Sequence, residues 1–146
     1  MIQFKIVASE KELLQALIVR GIVFIEEQDL PFQMEYDHFD HLESQAVIHV
    51  VGLEKEEPYA AARIIFRSDS VVKLERIAVR KSKRGKDHGK KLVNYLLNTS
   101  QQRGVKTIQI HAQSYLREFY QDLGFVAQGD VFLEAGIEHI FMFYEG

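Results

Sequence analysis

A single α/β domain, with helices on the faces of a mixed sheet, is the fold class that this sequence predicts. Three observations carry the expectation. The chain has 146 residues, the size of one domain. Its apolar positions switch repeatedly between period-two and helical spacing. A strand–helix–strand unit lies between residues 71 and 112, after a run of strands.

Taken in order, Ile2 to Val7 alternates well enough for a first strand. Ser9 followed by Glu12 is a capping box, and it opens a helix whose apolar stripe is expected at Leu13, Leu14, Leu17 and Ile18. That helix should fade near Glu26, ahead of Pro31, and a second short helix is expected around Met34 to Leu42. Gln45–Leu53 and Tyr59–Phe66 read as strands joined by the polar turn Glu54 to Pro58. Ser68-Asp69-Ser70 turns the chain into a third strand, Val71–Arg80, which makes the middle of the chain an antiparallel meander. From His88, Leu92, Val93, Leu96 and Leu97 fall at helical spacing, with Gly104 after Arg103 as the stop. Val105–Ala112 is a strand. Ser114 caps a short helix that places Leu116, Phe119, Tyr120 and Leu123 on one face, and Gly124 ends it. Two strands, around Phe125–Gln128 and Glu138–Tyr144, complete the order.

Composition narrows the class. With 47% hydrophobic and 27% charged residues, 9 Gly and 2 Pro, the chain is globular, and disorder, collagen and coiled coil are excluded. The longest apolar run is Ile140 to Tyr144, far short of a bilayer span, and Lys5, Glu10, Lys11 and Glu12 stand where a signal peptide needs an apolar core. A soluble, cytoplasmic protein with no membrane partner is expected. The absence of Cys excludes a disulfide framework, a thiolate zinc site and a cysteine nucleophile.

The net charge of −3 is unevenly spread. Residues 80–91 hold seven basic side chains against Asp87, a segment of +6 that leaves −9 on the remainder. Residues 26–43 hold seven acids and neither Lys nor Arg. The basic run is not interleaved with aromatics, so a nucleic-acid partner is disfavoured.

Within the basic segment, Arg84-Gly85-Lys86-Asp87-His88-Gly89 opens a helix just after a strand. The first backbone N–H groups of a helix are unpaired and sit at the positive end of its dipole, which favours an anion. Gly85 and Gly89 permit close approach, and the flanking Arg84, Lys86 and Lys90 can pair with phosphates; a solvated basic loop is the plainer alternative.

Strand, Arg-x-x-x-x-Gly at the start of an amphipathic helix, strand, and then Phe119-Tyr120-Gln121-Asp122-Leu123-Gly124-Phe125 resembles the GCN5-related N-acetyltransferase (GNAT) superfamily. Arg20-x-x-Val23-Phe24-Ile25-x-Glu27-Gln28, Leu74-Glu75-Arg76-Ile77-Ala78-Val79, Ala112-Gln113 and Phe132-x-Glu134-x-Gly136-Ile137-x-His139 are similar to its ElaA-like branch. The resemblance implies a single GNAT domain over residues 1–146, its mostly antiparallel sheet flanked by helices and splayed at one parallel strand pair. It implies acetyl-CoA as cosubstrate, held by Ile77, Ala78, Val79, Arg84, Gly85, Lys86, Asp87, His88, Gly89, Lys90 and Phe119, and no metal. Asp87 departs from the motif, which has Gly in the middle position, and puts a carboxylate near the pyrophosphate.

The implied reaction is acetyl transfer to an amine-bearing small molecule or peptide by direct attack in a ternary complex. A lysine-like amine, with a pKa of ~10.4, is ammonium at neutral pH and must first lose a proton. Glu75 is the candidate base: by strict alternation it shares a side with Val71, Ile77 and Val79, and an apolar setting would raise its pKa. Its alternative is an ion pair with Arg63, Arg76 or Arg20. Tyr120 matches the family's general acid by position; its alternative is core packing with Phe119 and Leu123. A backbone N–H at or near Val79 would bind the oxyanion.

Glu27, Gln28, Gln113 and His139 are the expected acceptor-side residues. His49 and His111 are expected as hydrogen-bonded core histidines, which is also the alternative for His139, and Asp37, His38, Asp40 and His41 as a solvated loop without metal-ligand spacing. The seven acids of residues 26–43 favour a cationic acceptor if they line the cleft. A non-catalytic acyl-CoA or small-ligand sensor on the same fold is the rival reading, and a homodimer is compatible with either.

Overall fold

Seven strands form one sheet in the computed structural model, which describes residues 1–145. They are β1 (Gln3–Ile6), β2 (Val47–Glu54), β3 (Glu57–Phe66), β4 (Val71–Val79), β5 (Thr107–Gln113), β6 (Phe125–Glu134) and β7 (Ile137–Tyr144). Their spatial order is β1-β2-β3-β4-β5-β7-β6. Every neighbouring pair is antiparallel except β4–β5, which the helix α3 (His88–Gln102) connects.

One face of the sheet carries Val50, Ala62, Ile64, Val72, Leu74, Ile108, Ile110 and Met142. It packs on α3 and on α4 (Arg117–Asp122) through Leu92, Val93, Leu96, Leu97 and Tyr120. The four α3 side chains are buried, as their helical spacing predicts, and each stabilises the fold by roughly 1.5–3 kcal/mol. Gly104, at φ 77°, supplies the left-handed residue that ends the helix.

The other face is covered by α1 (Glu10–Arg20) and its π-helical continuation Gly21–Glu27. Ser9 caps α1 as expected, its hydroxyl accepting from the Glu12 N–H at 3.2 Å. The buried stripe of α1 differs from the expected one. Leu13, Ala16, Val19 and Arg20 face inward, while Leu14 and Ile18 are 58% and 44% exposed. Small partners decide this: Ala16 packs on Ala61 and Ala78, and the rotation that seats it also turns Arg20 toward buried carboxylates.

Three other boundaries move. In place of a helix over Met34–Leu42 there is a single turn, α2 (Phe32–Glu35), because the Asp40 carboxylate accepts from the Asp37 N–H and bends the chain out of helical geometry. Ser114 opens a 3₁₀ turn, Ser114–Leu116, and α4 begins after it without a side-chain cap. The β6 strand continues to Glu134, past its expected end at Gln128, because a register shift near Gly129 (φ 82°) absorbs the turn-like residues and pairing with β7 resumes at Phe132.

Candidate functional site

Pairing between β4 and β5 stops at Leu74↔Ile110, and beyond that point the two strands diverge. The cause lies in β4. Arg76 adopts φ 54°, and between Arg63↔Glu75 and Ala61↔Ala78 two β4 residues stand opposite Ala62 alone. This bulge bends β4 away from β5 and leaves its backbone from Glu75 to Val79 without β5 partners. The expected splay of the parallel pair is therefore present.

The bulge also corrects the placement of Glu75. Strict alternation would put it on the side of Ile77 and Val79, but both pack toward the α3 face with Leu74, and Glu75 points to the opposite face. A phase change is visible in Val72, Leu74, Ile77 and Val79, whose spacing slips by one residue. That slip was the available signal.

A cavity of about 760 Å³ opens at the splay. It is lined by Glu75, Ile77, Ala78, Val79, Arg84, Gly89, Phe119 and Tyr120, and by Glu27, Gln28, Gln113 and His139. Gly85, Lys86, Asp87, His88 and Lys90 form the turn and first residues of α3 beside it. The first bond in the α3 ladder runs from the Lys91 N–H to the Asp87 carbonyl, so the N–H groups of His88, Gly89 and Lys90 precede it. Gly85 (φ 77°) has open space where a Cβ would stand, and Asp87 holds the left-handed conformation (φ 65°) that the motif glycine would adopt freely. The Asp87 side chain is exposed and caps nothing. These features suit a phosphate-bearing ligand.

Arg84 donates through Nε to the Val79 carbonyl at 2.9 Å and pairs with Glu27 at 2.6 Å. Its neighbour Gln28 exchanges amide hydrogen bonds with Gln113, at 2.9 and 3.5 Å. The end of the π-helical segment thus touches both β5 and the α3 approach.

His38 and His41 are exposed, as expected of a solvated loop, but Asp37 and Asp40 are drawn into ion pairs, which overturns the expectation for those two. Arg20, Arg63, Lys73 and Arg76 form one connected ion-pair network with Glu35, Asp37, Asp40 and Glu75. Four cations meet four anions. Arg63 is the hub, donating to Asp37 at 2.6 Å, to Asp40 at 3.0 Å and to Glu75 at 2.7 Å. Burial pushes the Asp37 carboxyl up, but the Arg63 hydrogen bonds and charge outweigh it and hold the pKa at about 2.

Glu75 shows the same competition, and its expected raised pKa is corrected. Burial raises it, yet the hydrogen bond and charge of Lys73 and the charge of Arg63 bring it below the usual carboxylate value. A carboxylate held charged by two cations is a weak proton acceptor. Sequence reasoning missed Arg63 as a hub and Lys73 altogether; the signal was a lone Arg inside the apolar run Ala60 to Phe66.

Tyr120 is buried, and burial raises its pKa, so the phenol stays protonated across the physiological range. It lines the cavity, and its hydroxyl makes no hydrogen bond among the described residues. His111 and Glu134, neither expected as site residues, also line the cavity, with Nδ1 2.9 Å from the Glu134 carboxylate. His139 is buried, its Nδ1 2.7 Å from the Ile137 carbonyl. His49 is the expected core histidine, bonded to the Phe39 carbonyl at 2.8 Å. Among the described residues there is no group of three His, Cys, Asp or Glu placed to hold a metal ion, and no helix long and apolar enough to cross a membrane.

Comparison with known proteins agrees with this geometry. Residues 25–145 match the family model described as an acetyltransferase (GNAT) domain. The uncharacterized N-acetyltransferase YjcF of Bacillus subtilis strain 168 is 34% identical over 138 residues, covering 94% of this chain and 95% of its own. Protein ElaA of Escherichia coli K12 is 33% identical over 137 residues, covering 92% and 88%. The crystal structure of Escherichia coli ElaA superposes with a TM-score of 0.89 over 99% of this chain and 100% of that one, at 31% identity. An aminoglycoside 6'-N-acetyltransferase complexed with coenzyme A shares the fold at a TM-score of 0.72 and 19% identity, covering 98% and 95%. The splayed strand pair, the glycine-bearing turn into α3 and these relatives lead to one conclusion: this chain belongs to the GNAT acetyltransferase family, in its ElaA-like branch.

Proposed function

We propose that this protein is an acetyl-CoA-dependent N-acetyltransferase that acylates an amine by direct attack, with both substrates bound together. The observation that carries the reading is one continuous cavity. It joins the α3 turn, suited to phosphates, to a protonated and unpartnered Tyr120 hydroxyl at the splay. Arg84, Lys86, Lys90 and the first N–H groups of α3 hold the cofactor phosphates; Phe119 and the β4 residues Ile77, Ala78 and Val79 line its acyl arm. The free backbone of β4 supplies the oxyanion donor. Tyr120 protonates the departing thiolate.

Glu27, Gln28, Gln113 and His139 face the acceptor, a small-molecule or peptide amine. The preference for a cationic acceptor no longer rests on seven free acids, since Glu35, Asp37 and Asp40 are neutralised inside the network. It rests on Glu27, which a phosphate would release from Arg84, and on Glu134. The absence of cysteine and the family's intracellular cosubstrate fit a cytoplasmic enzyme. The test is a panel of amines, from polyamines to amino sugars and acidic amino acids, assayed by release of free thiol from acetyl-CoA. Thiol release with an amine and formation of the amide support the reading. Tight CoA binding with no turnover on any amine would turn the protein into a ligand sensor.

A further inference from the structure

The acceptor's ammonium must lose a proton, and Glu75, held charged by Arg63 and Lys73, is poorly suited to take it. The opposite wall of the splay offers another group. His111 is the first β5 residue beyond the last β4–β5 pair, as Glu75 is on β4, so the two flank the point where the strands part. Both alternate away from the buried Leu74 and Ile110 and share one face. The His111 side chain is 28% exposed and lines the cavity.

Its tautomer follows from its partner. The Glu134 carboxylate, on β6, accepts, so Nδ1 is the donor at 2.9 Å, and in the neutral ring the lone pair is therefore on Nε2. No hydrogen bond engages Nε2 among the described residues. Phe132 meets the ring edge-on at 5.2 Å and Phe141 lies 5.9 Å away, which fixes its plane. Glu134 Oε2 lies 3.7 Å from His139 Nε2 on β7, so one carboxylate stands between two imidazoles. His139 is the less suitable acceptor, because its side chain is 9% exposed, Nδ1 is spent on the Ile137 carbonyl and Nε2 faces Glu134.

We infer that His111 Nε2 is the proton acceptor for the amine and that Glu134 is its positioning residue, an inference that rests on the N-acetyltransferase reading above. The ammonium proton passes to Nε2, and the freed nitrogen lone pair forms the C–N bond to the thioester carbonyl carbon. The C–S bond then breaks, the sulfur takes the Tyr120 proton, and the second proton still on the attacking nitrogen passes to the Tyr120 phenolate, leaving a neutral amide and the phenol restored. The His111 imidazolium returns its proton to solvent. Glu134 from β6 is the polar partner of the ring; the charged or titratable groups that line the same cavity include His139 from β7 and Glu75 and Lys73 from β4, with Gln28 and Gln113 as uncharged polar groups.

The experiment compares wild type with His111→Gln and Glu134→Gln, using spermidine and aniline as probe acceptors. Folding is checked by circular dichroism and CoA binding by calorimetry. Spermidine is cationic at pH 7 and needs deprotonation before attack, whereas aniline is already neutral. His111→Gln is expected to lower kcat/KM for spermidine by about a hundredfold and for aniline by about tenfold at most, with CoA affinity within about twofold of wild type. The pH profile with spermidine should lose its plateau and climb with the fraction of neutral amine toward ~10. Glu134→Gln should cost about tenfold in kcat with KM near wild type, because Nδ1 loses the carboxylate that fixes the tautomer and plane of the ring. Equal losses on both amines with an unchanged pH profile would make His111 a packing residue and overturn the inference. Absence of turnover by the wild type on every amine would overturn the enzymatic reading itself.

Discussion

Arg84 and Glu27 form a 2.6 Å ion pair between the approach to α3 and the end of the π-helical segment. The same arginine is the residue expected to bind cofactor phosphate, so ligand and Glu27 compete for one guanidinium. Arg84→Ala should weaken CoA binding by roughly tenfold, while Glu27→Gln should strengthen it and raise KM for a cationic amine. Calorimetric titration of CoA into both variants checks this. Tighter binding by Arg84→Ala would place the phosphates elsewhere.

Asp87 holds φ 65°, where a side chain costs about 1 kcal/mol and glycine costs nothing comparable. Asp87→Gly should therefore raise the melting temperature by about 2–4 °C. It should also tighten CoA binding by removing an exposed carboxylate beside the phosphate site. Thermal unfolding with and without CoA separates the two effects.

Tyr120 packs edge-on against Phe119 and Phe125, with ring centroids 5.1 and 5.6 Å away. Tyr120→Phe keeps those contacts and deletes only the hydroxyl. Stability and CoA binding should stay near wild type while single-turnover acetyl transfer falls by roughly ten- to a thousandfold. An unchanged rate would assign the ring to packing alone.

Acid should unfold the protein through the network around Arg63. The carboxyls of Asp37, Asp40 and Glu75 are all lowered in the folded state against ordinary values of 3.8, 3.8 and 4.5. Their stabilisation is complete above those values and is lost as pH falls, for Asp37 toward about 2. His49, lowered chiefly by burial from 6.5, adds a loss that begins below that pH. Melting temperature measured from pH 8 to pH 2 should fall only on the acid side of this range from these groups.

Glu75→Gln should be destabilising by about 2–4 kcal/mol, since it leaves Arg63 and Lys73 short of a counter-charge. The acid limb of the kcat/KM profile should survive the substitution. Its disappearance in a variant of normal stability would restore Glu75 as the base. Chemical denaturation paired with a pH–rate profile reads both outcomes.

Elements with strong local signals were legible in the sequence. Leu92, Val93, Leu96 and Leu97 imposed α3, Ser9 with Glu12 marked the start of α1, and Gly104 marked a helix end, because periodicity and capping act within a few residues. The Arg-x-x-x-x-Gly turn and the Phe119–Phe125 segment pointed to the family because their spacing is local as well. Tertiary structure decided what depends on partners distant in sequence. The bulge at Arg76 shifted the face of Glu75, a change that alternation along one strand cannot reveal. Arg20 and Arg63 gathered Glu35, Asp37 and Asp40 into a buried network, because an ion in the interior needs its counter-ion within a few ångströms. Likewise, only the pairing of β5, β7 and β6 brought Glu134 to His111, 23 residues apart in the chain, and gave the imidazole the fixed hydrogen bond that a proton acceptor needs.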